Sequence, residues 1–98
     1  MPRPKPTLSP LHDADLSKVE AVFTDVDGTL TTKGHLAAST LRALEWLAIH
    51  GVPVVLVSGR PSGWGECWAR QWPVAGVIVE NGGLHYAWRK GRLVKVYA

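Results

Sequence analysis

The spacing of apolar positions changes several times along the 98 residues, and each change predicts an element. Residues 1–17 carry no periodic apolar signal and read as a flexible, Pro-rich leader. In "VEAVFTDVD", residues 19–27, Val19, Ala21, Val22 and Phe23 form a nearly continuous apolar run, as in a strand buried on both faces. A turn at Gly28 and the polar loop "TTKGH" lead to Ser39, a suitable N-cap for a helix through "TLRALEWLAIH". Gly51 lies just past the end of that helix and Pro53 two residues further on. Its buried stripe is expected at Leu41, Leu44, Leu47 and Ala48, with His50 interacting with the helix C-terminus.

A second all-apolar, β-branched run, "VPVVLVSG", predicts a strand, and "RPSGWGECWARQW" a helix with Pro61 near its first turn and Pro73 beyond its last. "AGVIVENGG" predicts a third strand. "LHYAWRKGRLVKVYA" then alternates apolar and polar residues around Lys90-Gly91, the pattern of a β-hairpin. Strands separated by helices imply an α/β fold with a parallel sheet and right-handed crossovers. In such sheets ligands gather at the carboxyl ends of the strands. The three predicted strands end in "DVDG", "SGR" and "ENGG", so three polar, Gly-containing corners converge on one edge.

Composition narrows the class. With 46% apolar and 19% charged residues the chain is one small globular unit, able to bury about 60–65% of its unfolded surface. The opening "MPRPKPTLSP" has no apolar run and fails as a secretory signal, and no later stretch reaches the roughly 20 apolar residues of a membrane span. A single cysteine, Cys67, lacks both a disulfide partner and any zinc-site spacing, and is read as structural. A cytoplasmic protein with no membrane contact is expected. The net charge of +3 is concentrated at Arg89, Lys90, Arg92 and Lys95, either an anion-facing patch or a solvated turn that protects a strand edge. Of the tryptophans only Trp88 lies among these charges, so nucleic acid is not an expected partner. Trp64, Trp68 and Trp72 would form a stripe on the second helix, either packed on the sheet or stacking on a sugar ring.

The edge suits phosphoryl chemistry. Asp25, at the end of the first strand, can attack phosphorus as a carboxylate nucleophile that needs no activating base. Asp27, two residues on, can protonate the leaving alcohol and then deprotonate water. Two acids facing a phosphate need a hard cation between them, and Mg²⁺ suits such a site. Gly28 permits the sharp turn that aims backbone N–H groups at the phosphoryl oxygens, and Thr29 can cap that turn or touch the ligand. Ser58 offers a hydroxyl and Gly59 an open amide. Arg60 either holds an anion or pairs with a nearby acid such as Glu80. Asn81 either forms a turn beside Gly82 and Gly83 or faces substrate.

"DVDGTLT" resembles the first motif, DxDGT, of the haloacid dehalogenase-like superfamily, and "VVLVSGRP" resembles its second. "ENGG" is similar to the sugar-phosphatase (Cof-like) branch, which includes relatives of sucrose-phosphate and trehalose-phosphate phosphatases and of phosphomannomutase. The resemblance covers residues 19 to about 97. It implies a Rossmann-like three-layer core over residues 18–98, with Asp25 as nucleophile, Asp27 as acid/base and Mg²⁺ held by both, partly through the Asp27 carbonyl. It also implies phosphate binding at Ser58, a substrate-entrance position for Asn81, and a flap over the site at Lys33 and His35, both read as facing solvent. The implied activity is hydrolysis of a small phosphorylated metabolite, a sugar phosphate above all. A phosphomutase and a noncatalytic, partner-binding chain are the alternatives.

The family's third motif, a lysine, and its fourth, an acidic pair, belong downstream of residue 98; Lys90 and Lys95 come too early to serve. The 98 residues alone are therefore expected to be an incomplete core with an unpaired strand edge, prone to self-association, with weak Mg²⁺ binding and little or no hydrolysis.

Overall fold

The computed structural model describes residues 15–97. The leader expected over residues 1–17 lies outside the described residues up to position 14. At its end Leu16 packs, partly buried, against the core, and its carbonyl accepts the Val19 N–H at 3.0 Å. The elements are β1 (Val22–Asp25), α1 (Ala38–Ile49), β2 (Val54–Val57), α2 (Ser62–Gln71), β3 (Gly76–Val79), β4 (Leu84–Arg89) and β5 (Arg92–Tyr97). Strands β1, β2 and β3 are parallel, and β4 and β5 return antiparallel, in the order β1-β2-β3-β4-β5. The hairpin turns where the sequence expects it. Lys90 and Gly91 have φ of 51° and 75°, the two left-handed residues a two-residue turn between twisted strands requires.

Register separates two faces. Leu56, Val77 and Tyr86 lie in one cross-strand row, Val79 opposes Leu84, and all five are buried. Leu44 and Leu47 of α1 and Trp68 and Ala69 of α2 join them in a single core, so both helices cover this face. A side chain as fully buried as Leu56 contributes about 1.5–3 kcal/mol relative to exposure. The opposite face carries Phe23, Val55, Val57 and Ile78, and Phe23 is 66% exposed. The described residues thus supply the sheet and one helical layer of a Rossmann-like core.

Three local expectations are corrected. β1 alternates between half-buried and exposed positions instead of being buried on both faces, because it is the edge strand of the sheet. Helix α1 is capped by Ala37, where the backbone is still extended, and Ser39 falls inside the first turn with no capping bond. Ala48 is exposed, since the buried stripe of α1 is the narrower pair Leu44 and Leu47.

The C-terminus of α1 closes as expected. Gly51, at φ 75°, donates its N–H to the Ala48 carbonyl, and Val52 donates to Leu47 at 2.9 Å, the paired bonds of a Schellman motif. His50 Nδ1 donates to the Trp46 carbonyl at 2.8 Å, so that side chain satisfies the helix end. Helix α2 approaches the sheet unusually closely at Gly65, where a β-carbon would stand 2.8 Å from Val79 Cγ1.

Candidate active site

The turn after β1 is wound around one oxygen. The Val26 carbonyl receives the N–H groups of Thr29, Leu30 and Thr31 at 3.3, 3.0 and 2.9 Å, and the Thr31 hydroxyl at 3.2 Å. Val26 itself is buried, which pins the turn to the core and leaves Asp25 and Asp27 exposed on either side. Gly28 takes φ 78° here, a left-handed value that favours glycine. The N–H groups of Thr29, Leu30 and Thr31 are taken up by Val26, so the turn does not offer them to a ligand.

Asp25 is the last residue of β1 and pairs in register with Val57, the residue before Ser58. The first and second corners therefore adjoin. The Thr29 hydroxyl lies 3.4 Å from Asp25 Oδ2, a long contact that leaves the carboxylate largely open. Ser58 is buried; its N–H donates to Ile78, and its Oγ accepts the Arg60 N–H at 3.1 Å. Among the described residues no acceptor takes the Gly59 N–H.

The third corner braces the second. Glu80, Asn81 and Gly82 all have positive φ, at 50°, 54° and 94°, an uncommon run with two non-glycine residues. The Glu80 N–H donates to the Arg60 carbonyl at 3.0 Å, and Asn81 Oδ1 lies 2.7 Å from where a β-carbon on Gly59 would sit. Asn81 thus covers Gly59, beside the edge.

Arg60 does not pair with Glu80. Its Nε and Nη2 reach Asp27 Oδ2 and Oδ1 at 2.9 and 2.7 Å, a two-pronged ion pair between the second corner and the first. The guanidinium carbon stands 4.5 Å from the ring centre of Trp64, so the arginine is held between carboxylate and indole. Hydrogen bonding from Arg60 holds the Asp27 carboxyl below the usual carboxylate range, and the same bond raises the arginine. Both side chains remain partly solvated, 36% and 46% exposed, so the pair can open. Beside it is a small cleft of about 100 Å³, bounded by Asp27, Thr31 and Gly34 on one side and by Arg60, Trp64 and Trp68 on the other.

The tryptophan stripe divides along its length. Trp68 is buried in the core and stacks on Trp72 at 5.6 Å, whereas Trp64, 48% exposed, backs Arg60. Lys33 and His35 are exposed in a tight turn closed by reciprocal Thr32–His35 backbone bonds. Two features were missed: the burial of Thr31 and the packing of Arg60 against Trp64. Thr31 gives no sign of burial in a polar loop, but the i, i+4 spacing of Arg60 and Trp64 across the start of α2 was a usable signal. Among the described residues no helix is long and apolar enough to cross a membrane.

A parallel α/β sheet that collects two aspartates, a serine-glycine corner and an arginine at the carboxyl ends of its strands has the framework of a hydrolase core. The particular family follows from comparison. A family model described as haloacid dehalogenase-like hydrolase matches residues 22–96, and the chain belongs to that family. No curated protein matches the chain.

Proposed function

We propose that the chain carries the nucleophile half of a Mg²⁺-dependent phosphomonoesterase acting on a small phosphorylated metabolite, a sugar phosphate by preference. The observation that supports this most is the position of Asp25: an open carboxylate on the last residue of a parallel strand, one register step from the Ser58-Gly59 corner. In this reading Asp25 attacks phosphorus and the P–O bond to the alcohol breaks, leaving an aspartyl-phosphate. Asp27 delivers a proton to the departing oxygen and later removes one from water, whose attack frees phosphate and restores Asp25. The Ser58 hydroxyl, the Gly59 N–H and the Thr29 hydroxyl orient the phosphoryl oxygens, while Asn81 covers Gly59 and borders the entrance.

Haloacid dehalogenase-like hydrolases generally use Mg²⁺, and the donor chemistry fits. Among the described residues no three His, Cys, Asp or Glu side chains cluster to hold a metal. Mg²⁺, however, is commonly bound by one or two carboxylates together with waters and phosphate oxygens. The Asp25 carboxylate and the Asp27 backbone carbonyl, at one strand end, would be such ligands, which leaves the Asp27 carboxylate for the proton. When bound, the ion offsets the repulsion between these carboxylates and the phosphate.

The test is release of inorganic phosphate from a panel of sugar phosphates with Mg²⁺, comparing the chain with Asp25→Asn. Release that is slow but lost in the variant supports the reading, and release that ignores the substitution contradicts it. Isomerised sugar phosphate without free phosphate identifies a phosphomutase instead. A noncatalytic, associating chain is favoured by a separate observation, the open β1 edge with its exposed Phe23.

A further inference from the structure

The turn of the β4–β5 hairpin gathers three cations without a counter-charge. Arg89 and Arg92 are cross-strand partners in register, and Lys90 follows Arg89 as the first turn residue; all three are exposed. Side chains directly opposite each other on antiparallel strands leave the same face with β-carbons about 4.5–5.5 Å apart, and like charges so placed destabilise the pair. Lys90 adds a second cost, since its φ of 51° is a left-handed value that glycine or asparagine adopts more readily. Among the described residues the ion pairs join Arg60 to Asp27 and Arg70 to Glu66, and none reaches the hairpin. Lys95 is engaged elsewhere: it opposes Tyr86 on the helix-covered face, and its Nζ lies over the Tyr86 and Tyr97 rings at 5.9 and 5.3 Å. Arg89 and Arg92 have the other parity and leave the uncovered face. The turn is also remote from the candidate active site. β4 runs antiparallel to β3 and pairs Ala87 with Gly76, the first residue of β3, so Arg89 lies beyond the amino ends of the parallel strands. Asp25 and Ser58 lie at their carboxyl ends.

We propose that this turn is a second anion site, which takes a di- or polyphosphate group on the Arg89–Arg92 pair with Lys90 beside it. Two neighbouring guanidinium forks can each bind a phosphate group in two-pronged fashion. A bound polyanion replaces the repulsion of the bare pair by attraction, which gives a reason for placing three cations where they weaken the fold. One phosphate leaves part of that charge unmet, so affinity should rise with the number of linked phosphates. Protection of the β5 edge, the other role open to these charges, is served by a charge of either sign. Arg92→Glu would keep that protection and relieve the repulsion as well, so edge protection alone does not account for a like-charge pair at this register. The proposal does not rest on the phosphatase reading, because the turn shares no residue with the edge that carries Asp25.

The experiment titrates the full chain with inorganic phosphate, pyrophosphate and tripolyphosphate, without Mg²⁺ and at constant ionic strength, followed by NMR of amide and arginine side-chain signals. Saturable shifts are expected at residues 89–92, at lower concentrations as the number of phosphates rises. Arg89→Gln and Arg92→Gln should each weaken tripolyphosphate binding about fivefold, the scale of one exposed ion pair. Arg89→Lys should weaken it several-fold, because it keeps the charge and loses the fork; general attraction to a basic chain would leave it unchanged. Arg92→Glu should abolish binding at the turn and raise the thermal midpoint of the free chain, since an opposite-charge pair replaces a like-charge one. Arg70→Gln, a loss of charge elsewhere, should bind as the wild type does. Tripolyphosphate should itself raise the wild-type midpoint. An equal loss in Arg70→Gln, binding that survives Arg92→Glu with the same shifts, shifts confined to the Ser58-Gly59 corner, or no saturable binding overturns the proposal. All the substituted side chains are exposed, and dispersed amide spectra verify that the variants fold.

Discussion

Asn81 Oδ1 stands 2.7 Å from the position of a β-carbon on Gly59, so the third corner of the edge excludes any side chain at the second. Gly59→Ala should displace the amide and cost on the order of 1 kcal/mol in urea unfolding, the lower range for overpacking, since the opposing atom ends a short side chain. Asn81→Gly in the same chain should recover most of that loss. It removes the clash, and it also suits the left-handed φ of 54° at that position. Two losses that simply add would show that the residues do not meet.

Gly65 makes a similar exclusion against harder neighbours. Ala is favoured over Gly in a helix by about 1 kcal/mol, so an exposed Gly65→Ala would stabilise α2. Here the added carbon would meet Val79 Cγ1 at 2.8 Å and Tyr86 Cδ2 at 3.3 Å, both buried. Overpacking of about 1–3 kcal/mol should win, and the midpoint of thermal unfolding should fall. A rise in the midpoint would show that α2 has room to lift.

The Asp27–Arg60 pair gives an acid signature. An unpaired aspartate titrates near about 3.9, and the arginine holds Asp27 lower in the folded chain. The pair's contribution is therefore complete above the unfolded value and is lost as pH falls through the lower folded one. The stability difference between wild type and Asp27→Asn should stay level from about pH 7 to 5 and shrink below about pH 4. Urea midpoints across that range check it, and a difference that changes between pH 6 and 7 would point to another group.

Much of the fold was legible because local chemistry and tertiary role agree. "VPVVLVSG" reads as a strand and is one, Gly51 closes α1, and Lys90-Gly91 turns the hairpin. The errors arise where tertiary context decides. An apolar run such as "AVF" looks the same in a central strand as at an edge with one face open, and only strand order separates them. Ser39 has the chemistry of a cap, but the chain leaves extended geometry two residues earlier. At the edge, the candidate residues and their convergence were readable from the strand ends. The choice Arg60 makes between Glu80 and Asp27 was not, because it depends on the β1–β2 register and on the left-handed turn that carries Glu80.

The open face offers a prediction about association. Phe23 is 66% exposed on the edge strand, and Val57, two residues beyond its partner Val55 on the same face of the neighbouring strand, is 38% exposed. We propose that chains self-associate through this surface, and Phe23→Lys should then shift the chain toward monomer. Light scattering at several concentrations reads this directly. A wild type that stays monomeric at all of them contradicts it.

The central claim concerns one carboxylate, and its most direct test avoids the rest of the machinery. Acetyl phosphate expels acetate, a weak base that needs no acid to help it leave, so transfer to Asp25 should proceed without Asp27. The chain is incubated with acetyl phosphate and Mg²⁺, and the product is trapped by borohydride reduction and mapped by peptide mass spectrometry. The account predicts modification at Asp25 in the wild type and in Asp27→Asn, and none at residue 25 in Asp25→Asn. Phosphoryl transfer to any other residue, or none to Asp25, would contradict it.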